Sequence, residues 1–258
     1  MGKTLRVGCA QYTAQNGDIG ANLATITQLA ATAAKDGVEL LVLPELAVSG
    51  YVRPELVPGL AQPIPGSISQ AMAALARDHN LAVAFGIAVR EAGGQLRNTM
   101  LLLDSDGQEL LRYHKVHLWD NEKSWATPGD HFSVAKFGDL TLGQWICYDN
   151  RFPEAARSLA KSGAQLGLVC AAWLGPAEEW ELSLRSRAMD NGIFVAGSVH
   201  LGPSFHGVAM IADPHGNIIT RGEVGQNQIV SADIDPDAIA RFHQRIPLLQ
   251  HLRPDSYK

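Results

Sequence analysis

The chain has 258 residues, 46 % hydrophobic and 18 % charged, enough apolar content for a large core and too much for a disordered chain. Its formal net charge is −5 and its 21 Lys and Arg are scattered singly, so composition offers no footprint for nucleic acid. Three cysteines, Cys9, Cys147 and Cys170, form an odd set in a chain too large to need disulfide staples, which points to reduced thiols and a cytoplasmic setting.

The first residues, MGKTLRVGCAQY, lack the apolar stretch of a signal peptide, and Arg6 stands where a myristoylation signal requires Ser or Thr. No apolar run approaches membrane-spanning length, so no membrane partner is expected. LRVGCAQY reads as a strand, and NLATITQLAATAAKDG as a helix closed by Gly37. VELLVLPEL reads as a buried strand stopped by Pro44. SISQAMAALARDHN carries a Ser cap and helical spacing of Met72, Leu75 and Ala76.

LAVAFGIAVR, LRNTMLLLD and QELLRYHKVHL follow as consecutive strands, the last two joined by a turn at Asp104–Gly107. TLGQWIC leads into the helix PEAARSLAKSG, with Pro153 suited to its first turn. The unit repeats as AQLGLVCAAW, the helix AEEWELSLRSRAMDNG, and IFVAGSVH. GVAMIA and NIITRG form a hairpin about Asp213–Asn217, and NQIVSADID closes the series. No linker or repeat interrupts this order. It predicts one α/β domain over residues 1–258, a mixed sheet system with helices outside, and a C-terminal tail at 244–258.

There is no G-x-S-x-G elbow, no phosphate-binding G-x-x-x-x-G-K and no G-x-G-x-x-G. His114 and His117 lie three apart on a predicted strand, which turns their rings to opposite faces and argues against a metal pair. Three polar residues each follow an apolar strand: Glu45 after LLVLP, Lys115 after ELLRYH, and Cys147 after TLGQWI. Strand ends are where α/β folds collect catalytic groups. A thiol needs a base or cation nearby to become a nucleophile, and a carboxylate and a lysine supply both. The residues by themselves leave a second reading open, in which Cys147 fills core, Glu45 caps a turn and Lys115 is solvated. Cys9 and Cys170, embedded inside strands, read as core fillers.

Taken in order, LLVLPELAVSGY, YHKVHL and ICYDNRFPE resemble the motifs of the nitrilase (carbon–nitrogen hydrolase) superfamily, and the likeness runs from VGCAQYTAQNGDIGANL to PHGNIITRGEVGQNQIVSADID. The resemblance implies a four-layer α-β-β-α sandwich. It also implies Glu45 as general base, Lys115 at the oxyanion, Cys147 as nucleophile, and the Tyr148 N–H as second oxyanion donor. Glu122, in NEKSWATPGD, falls where many members carry a second glutamate. Asp149, Arg151 and Glu154 are expected to brace the turn after Cys147.

Tyr-Asp after the cysteine resembles the amidase and carbamoylase branches, whereas nitrilases usually have Trp-Glu there. The implied reaction is hydrolysis of a small non-peptide amide through a cysteine thioester, without metal or organic cofactor. The alternatives are an N-carbamoyl amine amidohydrolase, a nitrilase, or a non-catalytic binding module on the same fold. Tyr51, Trp119, Trp173, His200 and Phe205 are expected to line the pocket, with His206 nearby. Arg187 could meet a substrate carboxylate or pair with Glu181 or Asp190. Ile246, Leu248, Leu249 and Leu252 in the tail need cover, which suggests a homodimer or higher homo-oligomer.

Overall fold

Strand β1 (Leu5–Tyr12) opens the computed structural model, which describes residues 2–256. It is followed by α1 (Ile19–Lys35), β2 (Leu40–Val42), α2 (Val57–Leu60), α3 (Ser67–His79), β3 (Ala82–Arg90), β4 (Leu96–Leu103) and β5 (Glu109–His114). The second half runs β6 (Val134–Phe137), β7 (Leu140–Ile146), α4 (Pro153–Lys161), β8 (Leu166–Ala171), α5 (Ala177–Asn191) and β9 (Phe194–His200). Strands β10 (Met210–Ala212), β11 (Ile218–Arg221) and β12 (Gln228–Ile234), then α6 (Pro236–Arg245), complete it.

The strand order is β5-β4-β3-β2-β1-β9-β8-β7-β6. Strands β1, β2 and β3 are parallel to one another, as are β7, β8 and β9, while β3-β4-β5 form an antiparallel meander. β12 lies antiparallel along β1 from Leu5↔Ile234 to Gln11↔Gln228, so β9 reaches β1 only at Gln11↔Val199 and Tyr12↔His200. That short join links two half-sheets that pack face to face.

The period of two along each strand sorts side chains between layers. Val7, Cys9, Leu40, Val42, Ala82 and Ala84 share a core with Trp145, Leu166 and Leu168 of the other half. Their alternates, Ala10, Tyr12, Leu41, Leu43, Val83 and Phe85, pack against Ile26 and Ala30 of α1 and Met72 and Leu75 of α3. Leu159 of α4 and Trp180 and Leu184 of α5 cover the opposite side. The result is the expected α-β-β-α sandwich. Because both sheet faces are covered, the strands read as unbroken apolar runs rather than alternations.

Three elements depart from the sequence reading. β6 is short and half exposed and carries Lys136, so its apolar signal is weak. α6 precedes the expected tail, and its start is written in Asp235, whose side chain accepts from the Asp237 N–H at 2.8 Å, and in Pro236 at the first turn. For α3 the cap is Gly66, not Ser67, with the Ser69 hydroxyl accepting the Gly66 N–H at 2.9 Å. In the tail Leu249 packs on the large core and Ile246 is exposed; residues 257 and 258 lie outside the described residues.

Candidate active site

Glu45 sits in the turn after β2, beyond Pro44, where Leu46 takes a positive φ of 48°. Strand β3 passes so close beneath this turn that only glycine fits at position 86, where a Cβ would stand 2.6 Å from Glu45 Cα. His200, at the end of β9, is hydrogen-bonded through Nε2 to the Glu45 carbonyl at 2.7 Å. Lys115 is the first residue beyond β5, and its N–H donates to the Asn98 carbonyl at 2.8 Å.

Cys147 follows β7 with φ at +44°, a left-handed conformation that is costly for a residue with a side chain. The turn is over-determined by Asp149, a buried carboxylate that accepts from the Ile146 N–H at 3.1 Å and the Tyr113 hydroxyl at 2.7 Å. The same carboxylate takes the His117 N–H and Nδ1, both at 2.8 Å. Pro153 then starts α4, as expected. His117 thus belongs to the turn, while His114 Nδ1 hydrogen-bonds with Thr99 Oγ1 at 2.9 Å, so the two histidines serve different partners.

The predicted residues converge. Lys115 Nζ lies 2.7 Å from Glu45 Oε1 and 2.8 Å from Glu122 Oε2, with all three side chains buried. Asn98 Nδ2 donates to Glu45 Oε1 at 2.8 Å and to Glu122 Oε1 at 2.9 Å, closing a ring of two carboxylates, an ammonium and an amide. Glu45 Oε2 accepts the Ala172 N–H at 2.9 Å, and the Cys147 thiol points at the Ala172 carbonyl at 3.8 Å. One residue therefore touches both acid and thiol. Glu122 is held in a 3₁₀ turn, Asp120–Ser124, with Oε2 accepting the Trp119 N–H at 2.7 Å.

Two carboxylates around one lysine cannot be electrostatically equivalent. Burial raises the Glu45 carboxyl, but the Lys115 charge and hydrogen bonds from Lys115, Asn98 and Ala172 outweigh it and hold Glu45 below its ordinary value. Burial also dominates at Glu122, where Lys115 opposes it and the Glu45 charge reinforces it, and pushes that carboxyl up to about 7. Burial alone would lower Lys115, yet both carboxylates hold it well above the usual lysine range. Burial and the Glu45 charge together raise the Cys147 thiol, so it rests protonated beside an ionised acid.

Above the thiol opens a cavity of about 190 Å³, walled by Tyr51, Trp119, Tyr148, Trp173 and Leu174, with Arg151 at its rim. Tyr51, Trp119 and Trp173 are where the sequence put them. His200 and Phe205 do not line it: His200 is buried beneath Glu45, and Phe205 backs Tyr51 edge-on with ring centroids 6.2 Å apart. His206 is outside it too, its N–H donating to the Trp173 carbonyl at 3.1 Å. Arg187 pairs with Asp190 at 3.4 Å and takes no part in the wall. Arg151, expected to brace the turn, instead reaches over the Trp173 ring, its guanidinium carbon 4.7 Å from the centroid.

Asn98 and Ala172 escaped the sequence reading. Asn98 is one amide inside the apolar run LRNTMLLL, and a buried amide in such a run needs a polar partner, which is the signal that could have found it. Ala172 acts through its backbone, which no side-chain pattern reveals.

The comparisons bear on family and fold. A sequence model of the carbon-nitrogen hydrolase family matches residues 6–244. Omega-amidase NIT2 of Mus musculus is 32 % identical over 253 residues, covering 92 % of this chain and 91 % of the relative. A protein described as "Hydrolase in pqqF 5'region" from Pseudomonas protegens is 34 % identical over 263 residues, covering 99 % of this chain and 91 % of its own. Among solved structures, an amidase from Nesterenkonia sp. superposes with TM-score 0.85 at 31 % identity, covering 95 % of this chain and 97 % of that one. A glutamate-to-glutamine variant of the Nesterenkonia sp. AN1 amidase, showing covalent addition of the acetamide moiety of fluoroacetamide at the active site cysteine, superposes with TM-score 0.88 at 31 % identity, with coverage of 98 % and 95 %. In motif order, fold and extent of match, the chain belongs to the carbon–nitrogen hydrolase family, in the amidase-like branch of the nitrilase superfamily.

Proposed function

We propose that the chain hydrolyses a small non-peptide amide to a carboxylate and ammonia, with Cys147 as nucleophile, Glu45 as proton carrier and Lys115 as oxyanion donor. The observation that carries this is the convergence of three distant motifs on one point: Lys115 Nζ is 2.7 Å from Glu45, and Glu45 and the thiol meet the same residue, Ala172.

The resting thiol is protonated, so attack begins with Glu45 taking its proton as sulfur bonds to the amide carbon. The carbonyl π pair moves to oxygen, where a Lys115 N–H and the Tyr148 backbone N–H receive it; one such donor is typically worth on the order of 10²–10³ in rate. Glu45 returns the proton to nitrogen, the C–N bond breaks and ammonia leaves a thioester on Cys147. Glu45 then takes a proton from water, which attacks the thioester. The C–S bond breaks and the proton passes back to sulfur. Glu122 shares Lys115 with Glu45, fixes the ammonium and positions the attacking water. The acetamide adduct at the active site cysteine of the Nesterenkonia relative, in which sulfur displaces fluoride, supports a nucleophilic thiol in such a site, and the omega-amidase relatives support hydrolysis of an amide.

Ammonia release from a panel of short amides tests the reading. Cys147→Ala is expected to lose on the order of 10⁴–10⁶ in kcat and Glu45→Gln on the order of 10²–10⁴, both with native circular dichroism. Full turnover by Cys147→Ala would refute it.

A further inference from the structure

The wall of the cavity is aromatic or aliphatic on nearly every side, and Arg151 is the charged side chain among its lining residues. An arginine at the mouth of an apolar pocket is ordinarily ready to grip a substrate carboxylate in a fork of two hydrogen bonds. Here the guanidinium is already engaged. Its Nη2 is ion-paired with Oε2 of Glu179, in the first turn of α5, and its central carbon lies over the Trp173 ring.

A third feature is the tight space beside the pair. Gly175 lies against both partners, and a Cβ there would stand 2.8 Å from Arg151 Nη2 and 3.3 Å from Glu179 Oε2. A side chain at 175 would crowd the tips of both partners. Lys115, the nearby alternative cation, is buried and already shared between Glu45 and Glu122. An incoming carboxylate would therefore find no unpaired cation in this cavity and would meet the charge of Glu179.

We propose that Glu179 sets the charge class of the substrate: by occupying Arg151, the cation of the cavity rim, it reserves the cavity for neutral, short, apolar acyl groups and disfavours amides that carry a carboxylate. The volume of about 190 Å³, below the range usual for drug-sized ligands, fits an acyl chain of only a few carbons. This inference rests on the amide-hydrolysis reading and deepens it. Arg151 and Glu179 keep 40 % and 45 % of their side-chain surface exposed, so the ion pair adds little to stability and Glu179 can be replaced in a folded protein.

Two amides of the same shape separate the charge effect from size: 4-methylpentanamide, which is neutral, and succinamate, whose carboxylate replaces the terminal isopropyl group. The wild-type enzyme is expected to favour 4-methylpentanamide in kcat/KM. Glu179→Gln should raise the succinamate-to-4-methylpentanamide ratio about tenfold, the gain of a charge-assisted contact discounted for exposure, and mainly through KM for succinamate. Adding Arg151→Gln to that variant should return the ratio to the wild-type side.

A wild-type preference for succinamate, or a ratio that Glu179→Gln leaves unmoved while 4-methylpentanamide is still hydrolysed, overturns the charge assignment and leaves amide hydrolysis standing. Release of ammonia from neither compound, nor from any other short amide, overturns both.

Discussion

Glu122 and Glu45 carry the same functional group within hydrogen-bond reach of the same ammonium, yet their environments drive them apart. Each accepts one backbone N–H besides Lys115 and Asn98, from Ala172 at Glu45 and from Trp119 at Glu122. At Glu45 the Lys115 charge and these hydrogen bonds outweigh burial and keep it ionised, while at Glu122 burial and the Glu45 charge win and raise it to about 7. A carboxyl raised in the folded chain holds a proton that the unfolded chain releases. Its contribution to stability is therefore complete below about pH 4.5 and is lost as pH rises through about 7. Between those limits wild type should lose on the order of 1–3 kcal/mol relative to Glu122→Gln, read by urea denaturation across pH. Equal slopes in the two proteins would contradict the assignment. Glu45, Lys115, Cys147 and Glu122 were legible because each lies in an ordered motif at a strand end or loop. Asn98 was not, because its meaning depends on two carboxylates brought to it from 53 and 24 residues away.

The strands position the site by where they stop and by what passes beneath them. β2 delivers Glu45 into a turn whose underside is β3, and the contact tolerates no side chain at Gly86. Gly86→Ala is expected to displace the Glu45 turn, lowering kcat by on the order of tenfold to a hundredfold with the fold retained. Unchanged kcat in that variant would show that the close approach does not fix Glu45. β7 delivers Cys147 into a turn held by Asp149, which gathers donors from β5 and from the loop after it. Most of these elements could be read from apolar runs and turn residues. The hairpin turns at Asp104 and Asp213 repeat one construction, with the aspartate oxygen accepting two N–H groups and a following glycine at positive φ. β6 and α6 were missed for opposite reasons: β6 offers four residues with one lysine, and α6 has clear start signals inside what reads as the end of a strand.

At the scale of the molecule, two half-sheets meet through the short β1–β9 join, with Cys147 in the cavity lining and Glu45 and Lys115 buried outside it. The unbroken apolar runs announced sheets covered on both faces, but not that β12 would occupy the flank of β1 and leave β9 only two residues to pair with. Leu182 and Met189 on α5 and Ile246 after α6 remain exposed. We expect a second copy to cover such surface. Light scattering should give a mass of at least twice 27.7 kDa, and a mass of 27.7 kDa at micromolar concentration would contradict it.

The central claim is that sulfur at position 147 carries the acyl group between loss of ammonia and attack by water. Intact-protein mass spectrometry of acid-quenched turnover, followed by peptide mapping, reads this directly. The expected result is an added acyl mass on the peptide holding Cys147, formed in step with the first equivalent of ammonia and absent from Cys147→Ala. Steady ammonia release with residue 147 unmodified throughout, or the same adduct in Cys147→Ala, would contradict it.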